Sequence, residues 1–180
     1  ESAWRRGAAV HLIAGPVSVP LPDTFPVERV EDAREMLDAV ARGVATADVL
    51  VMAAAPADFR PAAIAEGKIK KATAPDALAL AATPDILRET AAARRAGLVA
   101  VGFALEPGAP RATPPKTLSA KTPDLIVVDN ARETGAGFEG DTNRVTFLTP
   151  DGASEELPLL SKRDVADVLL DRIEVLLRGR

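Results

Sequence analysis

The sequence predicts an α/β domain of three layers, with a mostly parallel sheet between helices and a β-hairpin near the C-terminus. Three observations predict it. Short apolar runs at 8–14, 49–53, 98–101 and 125–128 have strand length and alternate through most of the chain with helix-like stretches. Each run empties into small or polar residues, as strands do where an open sheet meets its loops. A Pro150-Asp151-Gly152 turn signal separates two further strand-like runs, at 144–148 and 155–159.

Taken in order, residues 1–7 read as the last turns of a helix, with Arg5 and Arg6 near its end and Gly7 where it stops. The chain is therefore expected to be a fragment whose first strand, loop and half-helix lie upstream. Residues 8–14 are a buried strand ending at Gly15-Pro16, and His11 within it is expected to be a satisfied core histidine. A proline-rich connection over 16–26 leads to a short extended piece at 27–30. Apolar residues at 33, 36, 37, 40 and 44 have helical spacing. Residues 49–53 are the next strand, and 54–82 are irregular or short-stranded. Thr83-Pro84-Asp85 then opens a helix, with threonine as N-cap, proline first and an acid in the first turn. That helix is expected to run to Ala96 and stop at Gly97. A strand at 98–101 ends in Gly102-Phe103, a proline-rich loop covers 106–123, and a strand at 125–128 ends in Asp129-Asn130. After the hairpin, Ser161 caps a final helix with apolar positions 165, 169, 173, 176 and 177. This order is Rossmann-like, and with neither internal repeats nor a linker it forms one domain over 1–180.

The 180 residues suffice to bury an ordinary core, at 47% hydrophobic and 27% charged. Zero cysteines exclude disulfides, thiolate metal sites and a cysteine nucleophile, and one histidine argues against a multi-histidine zinc site. A net charge of −4 argues against non-specific nucleic-acid binding. No apolar run of about 18 residues and no signal-peptide pattern is present, so a cytoplasmic protein without a membrane span is expected.

The stretch Ala53-Ala54-Ala55-Pro56-Ala57-Asp58-Phe59-Arg60, followed by Lys68-Ile69-Lys70-Lys71, carries the most chemistry. An isolated carboxylate beside a lysine cluster can read a polar group and hold an anion. In a parallel sheet the ends at 54–58, 102–103 and 129–130 share one edge, and the helix start at 83–86 adds free backbone N–H groups. Lys116 and Lys121 add mobile positive charge. Each signal also has a plain reading. The lysines suit a solvated edge strand, Asp58 a turn, Thr83-Pro84-Asp85 a capping device, and Phe103 the core.

In combination and order, these segments resemble the synthetase domain of bacterial phosphopantothenoylcysteine synthetase (phosphopantothenate–cysteine ligase), often fused to a decarboxylase. The resemblance runs from Arg5-Arg6-Gly7-Ala8 and Gly15-Pro16-Val17-Ser18 through residues 53–60 and 68–71. It continues through Thr83-Pro84-Asp85-Ile86, Val101-Gly102-Phe103-Ala104, Asp124-Leu125-Ile126-Val127 and the glycine-rich stretch at 137–143.

The resemblance implies CTP-dependent ligation of 4′-phosphopantothenate to cysteine through an acyl-cytidylate, with Mg²⁺ offsetting the triphosphate. It implies that Met52, Ala53 and Ala54 pass their backbone close to the nucleotide. Asp58 and Lys68 would contact CTP as the catalytic pair, Lys68 stabilising charge. Pro84, Asp85, Ile86 and Leu87 would present the helix start, and Phe103 would lie against the nucleotide. Lys121 matches a family triphosphate lysine. The other such lysine falls on Thr117, with Lys116 one place early. A homodimer is implied, with the lysine arm reaching toward the partner. The family's glycine-rich first loop, with its asparagine, has no counterpart here, and a chain truly without it would be an impaired enzyme. Two alternatives stay open: a catalytically silent nucleotide-binding or dimerisation module, and a dinucleotide-dependent oxidoreductase, although no G-x-G-x-x-G fingerprint stands at a first strand-to-helix turn and the glycine spacing at 135–140 lies before the hairpin instead.

Overall fold

The computed structural model describes residues 1–63, 65, 67–70, 77–106, 123–130 and 141–180. Among them, strands β3 (Val49–Met52), β6 (Val99–Glu106), β7 (Leu125–Asn130), β9 (Val145–Leu148) and β10 (Ser154–Glu156) form a five-stranded sheet in the order β10-β9-β7-β6-β3. The pairs β3–β6 and β6–β7 are parallel, while β7–β9 and β9–β10 are antiparallel. The appended hairpin thus extends the sheet. A separate parallel pair joins β1 (Leu12–Ala14) to β2 (Val27–Arg29). An antiparallel ribbon joins β4 (Phe59–Pro61) to β5 (Leu80–Ala82), and β8 (Thr142–Asn143) pairs with β11 (Leu160–Ser161).

Helices cover both sheet faces. On one face α2 (Ala33–Val44) and α3 (Ile86–Glu89) bury Met36, Val40, Val44, Ile86 and Leu87 against Met52 and Ala100. On the other, α4 (Lys162–Arg178) buries Val165, Leu169 and Ile173 against Val99, Val101, Val127 and Phe147. Val99, Val101 and Val127 are 0% exposed, each burial contributing about 1.5–3 kcal/mol. The central strands are apolar on both faces because helices cover both.

The helix ends follow their caps. Asp32 caps α2, its carboxylate accepting from the amides of Arg34 and Glu35 at 2.8 and 2.9 Å, while Glu35 accepts from Glu31 N–H at 2.8 Å. Those amides hold the Asp32 carboxyl below its ordinary range, the Glu35 amide most, with the charge of Arg60 a lesser cause. Ser161 caps α4 as its sequence suggests. At the N-terminus, α1 (Ser2–Arg5) ends before Gly7, whose φ of +86° suits glycine. Arg6 then ties this segment to α4 through Asp171 at 2.6 Å.

Three expectations are corrected. The helix expected to run to Ala96 ends at Glu89 and gives way to a 3-10 turn over Ala91–Ala93. Thr90 Oγ1 donates to the Ile86 carbonyl at 2.7 Å and Arg94 donates to the Leu87 carbonyl, so the last helical carbonyls are satisfied without another turn. The N-cap is Asp85, not Thr83, and its carboxylate accepts from Arg88 N–H at 3.2 Å. Thr83 N–H is engaged with the Asp58 carbonyl at 2.9 Å, continuing the β4–β5 ribbon. The first strand pairs only over Leu12–Ala14, and His11 lies outside it, exposed, with Nε2 3.5 Å from Glu28 Oε2.

Candidate functional site at the carboxyl edge of the sheet

Strand register decides what meets at this edge. Met52 pairs with Gly102 and Gly102 with Ile126, so Ala53, Phe103 and Val127 stand at one level. β3 stops there, while β6 and β7 run on to Glu106 and Asn130. The Asp129-Asn130 end therefore lies roughly 7–10 Å farther along, at about 3.3 Å per residue. Asp129 accepts a hydrogen bond from Asn143 Nδ2 at 3.0 Å, which ties that end to β8.

The loop leaving β3 is made of small residues to Ala57, then Asp58, and all of it is exposed. The Thr83 N–H bond to the Asp58 carbonyl holds the Asp58 backbone beside Thr83, two residues before the N-cap of α3. The side chains of Met52, Ile86 and Leu87 are buried in the α2–α3 core. Their backbone, not their side chains, is what they can offer at the edge. Gly102 makes this packing close: a Cβ there would meet Leu87 Cδ1 at 3.1 Å.

Phe103 is 37% exposed. Strand alternation puts it on the face of Val99 and Val101, which carries α4, opposite the face that carries α3. Phe103 and the α3 start therefore flank the end of β3 from two sides. Lys68 and Lys70 are exposed on the segment joining the ribbon strands. Lys71, Lys116, Lys121, Thr117 and the stretch at 131–140 lie outside the described residues.

Beside the β3 loop lies a cavity of about 420 Å³ lined by residues 15–17, 31–33 and 54–57 with Met36, Phe59, Arg60 and Thr83. Sequence reasoning quoted Gly15-Pro16-Val17 and Arg60 but gave them no role. The signal available was their place at a strand end and beside Asp58; what assembles them is the approach of β1 and the α2 start to the loop. No three His, Cys, Asp or Glu groups gather into a metal cluster among the described residues. No helix among them is long and apolar enough to cross a membrane.

A mostly parallel three-layer sheet with a cavity and a loop of small residues outside its strand ends defines an open α/β domain of the ligand-binding kind. Residues 1–176 match the model of the DNA/pantothenate metabolism flavoprotein C-terminal domain, and the chain belongs to that family. It is 39% identical over 180 residues to the coenzyme A biosynthesis bifunctional protein CoaBC of Bacillus subtilis, spanning 98% of this chain and 43% of that protein. It is 36% identical over 175 residues to the Escherichia coli protein of the same name, covering 96% of this chain and 43% of the relative. The chain thus spans under half the length of these relatives. The crystal structure of a CoaBC C-terminal domain superposes with a TM-score of 0.78 at 35% identity, over 99% of this chain and 81% of that one.

Proposed function

We propose that this domain performs the CTP-dependent ligation of 4′-phosphopantothenate to L-cysteine in coenzyme A biosynthesis. The observation that carries the reading is the match of nearly the whole chain to the C-terminal domain of CoaBC. A protein of the same fold, 16% identical with a TM-score of 0.62, has been solved in complex with phosphopantothenate-cysteine.

In the first step a carboxylate oxygen of the acid attacks the α-phosphorus of CTP, and the bond to pyrophosphate breaks. In the second, the cysteine amine attacks the acyl carbon and loses a proton as CMP leaves with its oxygen. Activation is needed because a carboxylate oxygen is a poor leaving group. The protein's part is positioning and charge neutralisation. The small side chains of Ala53 and Ala54 let a nucleotide drape over the end of β3, between Phe103 on one face and the α3 start on the other. Asp58 and Lys68 act on the triphosphate, with Lys116 and Lys121 as further cations. Mg²⁺, when bound, would neutralise phosphate charge. A single carboxylate, Asp58, suits an ion that arrives on the nucleotide and keeps phosphate and water ligands.

The working protein is read as a cytoplasmic homodimer, joined to a decarboxylase domain. Phe59, Ile69, Leu78 and Leu80, all more than half exposed on and around the ribbon, suit contact with a second copy. The test is pyrophosphate release by the full-length protein from CTP and 4′-phosphopantothenate, without cysteine. Lys68→Gln is expected to abolish it while leaving the thermal melt unchanged, because Lys68 is exposed. Wild-type release in that variant removes Lys68 from the mechanism. No release by the parent protein, or release with ATP alone, overturns the CTP reading.

A further inference from the structure

We propose that Arg94 is a positioning residue for the nucleotide, fixing from beneath the backbone of residues 84–87; this rests on the ligase reading above, which assigns those residues to CTP. α3 is a single turn, Ile86–Glu89, followed by a 3-10 turn over Ala91–Ala93. A longer helix would give the Leu87 carbonyl to its next turn. Here the Arg94 guanidinium donates to it instead. Leu87 is 6% exposed, so its carbonyl sits away from water and depends on that donor.

The other carbonyls of this turn are held locally. Glu89 N–H donates to the Asp85 carbonyl at 2.8 Å, and Thr90 donates to the Ile86 carbonyl through N–H at 3.0 Å and Oγ1 at 2.7 Å. At Leu87 the hold passes to the sheet. Burial pulls the Arg94 guanidinium below its ordinary range and the charge of Asp124 opposes that fall, so the two side chains lie within electrostatic reach. Asp124 is itself fixed where β7 begins, accepting from the Ala100 amide at 2.7 Å and from Arg180. The adjacent Arg95 amide donates to the Val44 carbonyl at 3.0 Å, which anchors the same stretch to the end of α2. Arg94 thus ties the turn to the sheet and to α2. With its donors removed, the Leu87 carbonyl is stranded and the turn is driven outward to reach water. Residues 84–87 then hold the binding geometry in only a fraction of molecules, and the apparent CTP affinity falls by that fraction.

The test is steady-state pyrophosphate release by the full-length protein, with CTP, 4′-phosphopantothenate and cysteine varied in turn, beside thermal melts. Arg94→Met keeps the aliphatic bulk and removes the donors. It should raise KM for CTP ~10-fold, a shift of about 1.4 kcal/mol and within the cost of a buried carbonyl that has lost its donor. KM for the other substrates, and kcat at saturating CTP, should stay within about twofold, because CTP selects the competent turn. Arg94→Lys, which keeps a charge but not the fork, should fall between at ~3–5-fold, and it carries the test should Arg94→Met fail to fold. A lowered Tm with an unchanged KM for CTP overturns the inference, as does an equal rise in every KM; ligation stands in either case. A parent protein that releases no pyrophosphate from CTP overturns the ligase reading and this role with it.

Discussion

Gly102→Ala tests whether the edge of the sheet is set by one close approach. Gly102 sits between Met52 and Ile126 in the ladder and is buried. An added Cβ would stand 3.1 Å from Leu87 Cδ1 and 3.9 Å from Pro123 Cβ. Carbon atoms rest at about 3.5–4.0 Å, so Leu87 must move by about 0.4 Å or more. It has little room, being 6% exposed and packed in the cluster that holds Met52, Ile86 and Ala100. Its own carbonyl is gripped by Arg94, so the displacement passes to α3. Overpacking of this kind costs about 1–3 kcal/mol. Replacing glycine in the unfolded chain offsets about 0.4–1 kcal/mol of that. The net expectation is a loss of about 1 kcal/mol, a fall in Tm of about 2–4 °C for a domain of this length. Urea unfolding followed by far-UV circular dichroism measures it. CTP affinity should weaken in the same variant, because the α3 start moves. A midpoint equal to or above that of the parent refutes the argument, since it would mean the core yields freely at Leu87.

Two further substitutions probe the frame around the site. Asp124 accepts from the buried Ala100 amide at 2.7 Å and from Arg180, so it stands in for a ladder partner where β7 begins. Asp124→Ala should cost ~1–3 kcal/mol in urea unfolding and Asp124→Asn clearly less; equal losses would show that the carboxylate geometry is irrelevant. Asp32, held below its ordinary range by the Glu35 and Arg34 amides, stabilises the fold fully above its unfolded pKa of about 3.9 and loses that contribution as pH falls through the lower folded value. Asp32→Ala should therefore lower Tm at pH 7, with the deficit shrinking below about pH 3.9, whereas Asp32→Asn keeps most of the cap. A deficit independent of pH would place the effect elsewhere.

Where the sequence carried both a periodicity and an end signal, it could be read to the residue. The apolar spacing at 33, 36, 37, 40 and 44 gave α2 as Ala33–Val44, and Ser161 with the spacing at 165, 169 and 173 gave α4. Where two end signals competed, it could not. Thr83-Pro84-Asp85 offers two caps, and the choice depends on Thr83 being held by Asp58, a contact set by the ribbon rather than by the local sequence. The family and the α/β class were legible because ordered motifs survive without any three-dimensional knowledge. The site was legible only as a set of pieces. Val99-Ala100-Val101 and Leu125 to Val128 are apolar throughout, because helices cover both faces, and a continuous apolar run hides which residues share a face. The parity of Phe103 could therefore not be read, nor that it stands on the face opposite the α3 start. The cavity beside Arg60 was hidden for a related reason. Its walls come chiefly from segments at 15–17, 31–33, 54–57 and 59–60 that meet only because β1 and the capped end of α2 lie against the β3 loop. Residue type marks what a position can do chemically, whereas register and packing determine which positions act on the same molecule.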